Sequence, residues 1–180
     1  MTPVKSGERY FYVWSHRKNI GTPLDTGSML MIAEFDPVHP ERLISEPKCL
    51  SRPLYGFENT EHTINNEGPY AFYYHNKIYL AYSGGDARGY LYAIGMLTAN
   101  DGDDLCDLSV WEKAKTPIAS FATIPGEYGP GHNSFFWDRD QNLWIAYHAV
   151  TSFEEKIVSS GMRRVYFEQD KTPRFDVIVE

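Results

Sequence analysis

The sequence lacks any uninterrupted apolar stretch near the ~20 residues that a membrane-spanning helix needs, so an integral membrane protein is not expected. Cysteine is almost absent. Cys49 and Cys106 are too few for a disulfide scaffold or a structural zinc site, leaving either one bridge or two unrelated thiols. Basic charge is in deficit, with 17 Lys+Arg against 24 Asp+Glu and a net charge of −7. An acidic surface repels phosphate backbones, so nucleic-acid binding is not expected. The amino-terminal residues 1–9 have no apolar core after a basic start, which argues against a signal peptide and reads as cytoplasmic for the chain as given. Asn-x-Ser/Thr sites are missing, and helical periodicity is confined to one turn over 107–112.

What is present is aromatic. Thirteen Tyr, 10 Phe and 4 Trp among 180 residues exclude a disordered or low-complexity chain, and the length suits one ordinary domain. Segments 9–15, 77–83 and 142–148 match one another over seven positions, each rich in aromatic and β-branched residues and short enough for a buried strand. Turn residues precede all three (Ser6-Gly7, His75-Asn76 and 138–142). Further aromatic runs, 70–74 and 135–137, lie ahead of the second and third turns, predicting hairpins. Third strands are predicted over 28–35, 90–98 and, more weakly, 163–167. The spacing from Trp14 to Tyr82 to Tyr147 is 68 and then 65 residues. That period fits a four-stranded sheet plus loops, hence a β-propeller with blade-like units at about 1–60, 61–125 and 126–180. An ordinary β-sandwich whose strands merely look alike is the alternative.

In a propeller the residues just before each innermost strand converge on one surface. A shift of 65 residues carries Glu67 onto His132, so 66–69 and 131–134 occupy corresponding slots, while the first unit's slot falls just ahead of Met1. Glu67 is therefore the leading candidate for chemistry. A carboxyl held beside apolar rings can gain the raised pKa a general acid needs, although a solvated turn glutamate is the plainer reading. His132, between Gly131 and Asn133-Ser134, could hold a metal through water or orient a carboxylate, or serve only as a hydrogen-bonded structural residue. Asn59 and His62 could line a polar pocket ahead of Glu67. The acidic turn 101–104 lacks the glycine and terminal glutamate of an EF-hand, and no dinucleotide, P-loop or nucleophile-elbow spacing occurs.

The order and spacing of 65–70, 77–83, 129–134 and 144–149, with Ser51-Arg52-Pro53 and 56–59, resemble glycoside hydrolase family 43 over nearly the whole chain. The resemblance implies an all-β fold: part of a five-bladed β-propeller, here about three blades of four-stranded antiparallel sheets. It also implies inverting hydrolysis of α-L-arabinofuranosides or β-D-xylosides in pentose-containing oligo- or polysaccharides. Glu67 would be the general acid, and Asn59, His62 and Asn66 substrate-binding residues. No cofactor is implied, but a calcium ion near the propeller axis, reached by His132 through water, is. The family's catalytic base and its pKa-tuning Asp have no counterparts in this chain, since neither Asp25 nor Asp86 occupies an inner-strand slot. The expectation is thus a glycosidase whose isolated chain turns over weakly or not at all. The alternative is a non-catalytic carbohydrate-binding or remnant propeller module that self-associates to cover open blade edges.

Overall fold

The computed structural model describes residues 1–152, 154 and 157–177. Three antiparallel sheets follow one another along the chain. The first contains β1 (Thr2–Ser6), β2 (Arg9–His16), β3 (Met29–Glu34) and β4 (Lys48–Ser51), in that spatial order. The second contains β5 (Asn66–Tyr74), β6 (Lys77–Gly84), β7 (Ala93–Asn100) and β8 (Glu112–Lys113), again in sequence order. The third has three strands, β9 (Tyr128–Trp137), β10 (Leu143–Val150) and β11 (Val158–Arg164). Such successive up-and-down sheets are blades of a partial β-propeller, and the all-β expectation holds.

Period-2 alternation builds the strands. In β2, Phe11 and Val13 are buried while Tyr12 and Trp14 are half-buried. The middle sheet is apolar on both faces because a blade lies against each. Ile78, Leu80, Tyr82, Leu97 and Ala99 join Val4, Phe11, Val13, Leu30 and Ile32 of the first sheet in one cluster. Phe72, Tyr79, Ala81, Ile94 and Met96 join Phe135, Leu143, Ile145 and Tyr147 of the third sheet in another. The repeat visible in the sequence has a packing basis. Tyr82 lies opposite Gly95 and Tyr147 opposite Gly161, and in both pairs a Cβ on the glycine would run into the ring. The first blade departs from this, with Trp14 opposite Met31.

Other departures have physical causes. The third blade's outer strand is Val158–Arg164, ahead of the predicted 163–167; its Ser-Ser-Gly sequence carries little strand propensity and is held by pairing with β10. Residues 166–167 instead form β12 (Tyr166–Phe167), paired with β13 (Pro173–Arg174), and Phe167 stacks on Tyr74 at 3.6 Å. The helical turn expected over 107–112 is a single 3-10 turn, Leu108–Val110, whose backbone donor at Ser109 is capped by Asp107. Cys49 and Cys106 are both free thiols. Among the described residues no helix is long and apolar enough to cross a membrane.

One buried carboxylate ties the middle blade to the loop that enters it. Glu58, at 0% exposure, closes the 3-10 turn Gly56–Glu58. Its Oε2 accepts from the backbone of Leu54 and Tyr55 at 2.7 and 2.8 Å. Its Oε1 accepts from Asn66 Nδ2 at 2.9 Å, Tyr82 Oη at 2.7 Å and Lys113 Nζ at 2.6 Å. Burial draws the Lys113 pKa down, which its contact with Glu58 opposes, and burial beside Glu58 keeps the Tyr82 phenol protonated. Removing the carboxylate would take the counter-charge from a largely buried ammonium and the acceptor from the Leu54 and Tyr55 amides and the Tyr82 phenol. Glu58→Ala is therefore expected to cost about 3–5 kcal/mol, read as a lowered urea midpoint; a midpoint within error of wild type would contradict this.

Candidate functional site

β5 begins at the junction of all three blades. Ser28, at the entry to β3, forms a parallel bridge to Asn65, and its carbonyl accepts from the Asn66 backbone at 2.9 Å. Gly68 donates to Ser15 Oγ of the first blade at 3.2 Å. The backbone bulges between Glu67 and Tyr70, with Gly68 at φ +57, a conformation that favours glycine. Even a Cβ on Gly68 would only just touch the His132 ring of the third blade, at 3.7 Å. Glu67 is thus placed where the first strand of the middle blade meets its neighbours on both sides.

Strand alternation sends the neighbouring residues apart. Asn66 is fully buried, taking a hydrogen bond from Ser51 Oγ at 2.8 Å and donating to Glu58. Glu67 is half-buried, and its Oε1 accepts from the Tyr92 hydroxyl at 2.8 Å. Tyr92 is fully buried; a Cβ on Gly131 would fall inside its ring, and the ring stacks with His148 at 5.6 Å between centroids. Burial, reinforced by the Glu67 charge, pushes the phenol pKa far up, so Tyr92 stays a hydrogen-bond donor across the physiological range. Tyr92 and Glu58 both escaped the sequence reading. Glu58 lies in the 56–59 segment that carries part of the family resemblance, whereas Tyr92 was read as part of the predicted strand 90–98 and instead lies just ahead of β7.

The other candidates fall in different places. His132 adopts φ +52 and is exposed; its backbone donates to Ser83 Oγ at 2.8 Å and its ring lies 6.3 Å from that of His148. His148 is held below its ordinary pKa by burial and by His132, with Glu67 opposing, and so stays neutral near pH 7. Asn59 is exposed and spends its amide on the backbone carbonyls of Pro53 and Tyr55 at 3.1 and 2.9 Å. His62 is exposed on the same loop in a left-handed conformation. Asp25 is gripped by Arg17 through 2.9 and 2.7 Å hydrogen bonds and also accepts from Gly27 and Gly21. Arg17 and these amides hold its carboxyl well below the usual range. Asp86 accepts from the Arg88 backbone at the turn after β6.

These residues do not by themselves fit calcium. That ion takes six to eight oxygen ligands, whereas His132 is accompanied by the His148 imidazole, the Ser83 hydroxyl and the buried Asn133 amide, unpartnered among the described residues, so most ligands would have to be water. Among the described residues no three His, Cys, Asp or Glu side chains gather as a metal site. What the arrangement offers is a carboxyl with one oxygen fixed by a phenol and a cation, Arg17, close enough that Glu67 adds to the upward pKa shift set chiefly by Asp25.

The fold is a partial β-propeller with a carboxyl where its blades meet, and comparison with known proteins gives its class. The family model for Glycosyl hydrolases family 43 matches residues 3–173, and the chain belongs to that family. An extracellular exo-α-(1→5)-L-arabinofuranosidase of Streptomyces avermitilis is 28% identical over 99% of this chain and 37% of its own length. A protein of the same name from Streptomyces chartreusis is 34% identical over 79% of this chain and 42% of its own. Among solved structures, the α-L-arabinofuranosidase of Lactobacillus brevis superposes with a TM-score of 0.81 at 28% identity, covering 97% of this chain and 54% of that one. The chain thus spans about two fifths of the length of these curated relatives.

Because Tyr92 occupies the space above Gly131, Gly131→Ala is expected to displace the ring. The predicted cost is about 1–3 kcal/mol in chemical denaturation, with altered Tyr92 ring resonances. An unchanged ring environment would show that Tyr92 is not held by this packing.

Proposed function

We propose that this protein serves the hydrolysis of pentose-containing glycans, α-L-arabinofuranosides or β-D-xylosides, with inversion, and that Glu67 is the general acid. The observation that carries the reading is the position of Glu67 at the blade junction, half-buried and with Oε1 held. In such a reaction the acid protonates the glycosidic oxygen as the C–O bond breaks and its electron pair leaves with that oxygen. A water attacks the anomeric carbon from the opposite face and gives its proton to a second carboxylate. Asp25 is committed to Arg17 and Asp86 to its own turn, so we assign the base to residues outside this chain. His62, on the exposed loop, is the proposed sugar contact. Asn59 shapes that loop, and Asn66 fixes the strand that carries Glu67.

Turnover of aryl arabinofuranosides by the isolated chain is expected to lie near background. Azide should restore part of it by attacking the anomeric carbon while Glu67 protonates the departing aryloxide. With a leaving group that needs protonation, Glu67→Gln should remove about 10²–10⁴-fold of the azide-dependent release. Release that is insensitive to Glu67→Gln would sink the assignment of the acid, and azide-independent turnover that vanishes in Glu67→Gln would place the base within this chain.

A second reading, a carbohydrate-binding module that self-associates, rests on the exposed apolar side chains of the first and third blades. Met162 and Val158 are 62% and 61% exposed, and Phe136 and Leu43 both 42%. Met1, Tyr12, Trp14 and Leu43 line an open hollow on the first blade. Large exposed apolar faces favour association. Sedimentation velocity should show assemblies above the monomer mass; a stable monomer at all concentrations would count against it. Stabilisation by arabino-oligosaccharides without azide-rescued release would favour the binding module over the enzyme.

A further inference from the structure

The central strands of the three blades, β2, β6 and β10, repeat one pair of faces. Shifts of 68 and then 65 residues carry Phe11 and Val13 onto Tyr79 and Ala81, and these onto Trp144 and Ala146. The same shifts carry Tyr12 and Trp14 onto Leu80 and Tyr82, and these onto Ile145 and Tyr147. Strand alternation puts the two sets on opposite faces of each sheet. Phe11 and Val13 share one buried cluster with Leu80 and Tyr82, while Tyr79 and Ala81 share another with Ile145 and Tyr147. Each seam thus joins the back of one blade, bearing the first set, to the front of the next, bearing the second. The side chains that meet in these two seams are all buried. The remaining four are only half-buried: Tyr12 and Trp14 on the front of the first blade, Trp144 and Ala146 on the back of the third.

The chain therefore carries one uncovered front and one uncovered back, and in both of its own seams a back meets a front. We propose that these two faces form a single head-to-tail interface, the back of the third blade in one copy of this chain seating on the front of the first blade in another. The proposal rests on the self-association reading and gives that contact its polarity. Cross-strand neighbours extend both faces. Trp14 lies opposite Met31, and Leu43 lines the hollow beside it. Trp144 lies opposite Phe136 and Arg164, and Ala146 opposite Met162. Glu41 edges the first-blade hollow and Arg164 stands exposed on the third-blade face. A front-to-back contact thus brings unlike charges together, whereas front-on-front or back-on-back contacts bring like ones. A second copy is the occupant because each chain supplies the face that its neighbour lacks, so copies add in one direction instead of pairing about a two-fold axis.

The test is sedimentation velocity on the full chain and on two variants, each placing a charge on one face. Trp14→Glu should block the front and Met162→Glu the back. Each variant alone should sediment as a monomer where the wild type assembles, with association weakened by about tenfold or more, since an unpaired carboxylate would be buried in the contact. Mixed in equal amounts, the two variants still hold one intact back and one intact front between them, and they should form a 1:1 dimer. If Trp14→Glu does not fold, Leu43→Glu replaces it on the same face. Self-association that persists in either variant alone overturns the head-to-tail contact and leaves self-association standing. A mixture that stays monomeric while the wild type assembles does the same. A wild type that is monomeric at every concentration overturns both.

Discussion

The middle blade depends on a carboxylate that never reaches solvent. Glu58 gathers two backbone donors of the 54–55 turn, the Asn66 amide, the Tyr82 phenol and the Lys113 ammonium around two oxygens. Those donors come from the entering loop, β5, β6 and β8, from Leu54 at one end to Lys113 at the other. An ion taken out of water is stable only when its lone pairs are filled, so the loop and three strands must arrive in one geometry or not at all. Asn66 is the link outward. Its amide is locked from the Glu58 side, and the next residue along the strand is Glu67.

From that anchor the candidate site is assembled by contacts between blades rather than within one. The first blade fixes the start of β5 through Ser28 and Ser15, and the third presses Gly131 and His148 against Tyr92. Two glycines make this possible for different reasons. Gly68 supplies a left-handed backbone at the bulge, while Gly131 supplies empty space for an aromatic ring. Glu67 thus presents its carboxyl at a seam where three sheets meet, half in water and half against buried rings.

Much of the architecture was legible along the chain. The aromatic hairpins at 70–83 and 135–148 and the 65-residue offset are local signals, and the Tyr82–Gly95 and Tyr147–Gly161 pairs give that offset its physical meaning. The outer strand of the third blade was misplaced because Ser-Ser-Gly carries almost no strand signature and is ordered by its neighbour. Asn66 stood beside Glu67 in the motif, and the family resemblance implied a substrate-binding role for it. The pleat instead turns its side chain into the Glu58 network. Glu58 and Tyr92 could not be picked out, because a buried glutamate and a loop tyrosine are defined by partners as distant as Lys113 for the one and His148 for the other.

Periodicity and residue type by themselves determined an all-β repeat and the prominence of Glu67, since strand spacing and turn residues act over short distances, while the family came from the resemblance of the motifs. The tertiary structure decided the rest: which oxygen of Glu67 is held, which groups are withdrawn from solvent, and which faces stay open. Hydrogen bonds and burial depend on what folding brings within about 3 Å, and the linear order of residues does not encode that distance.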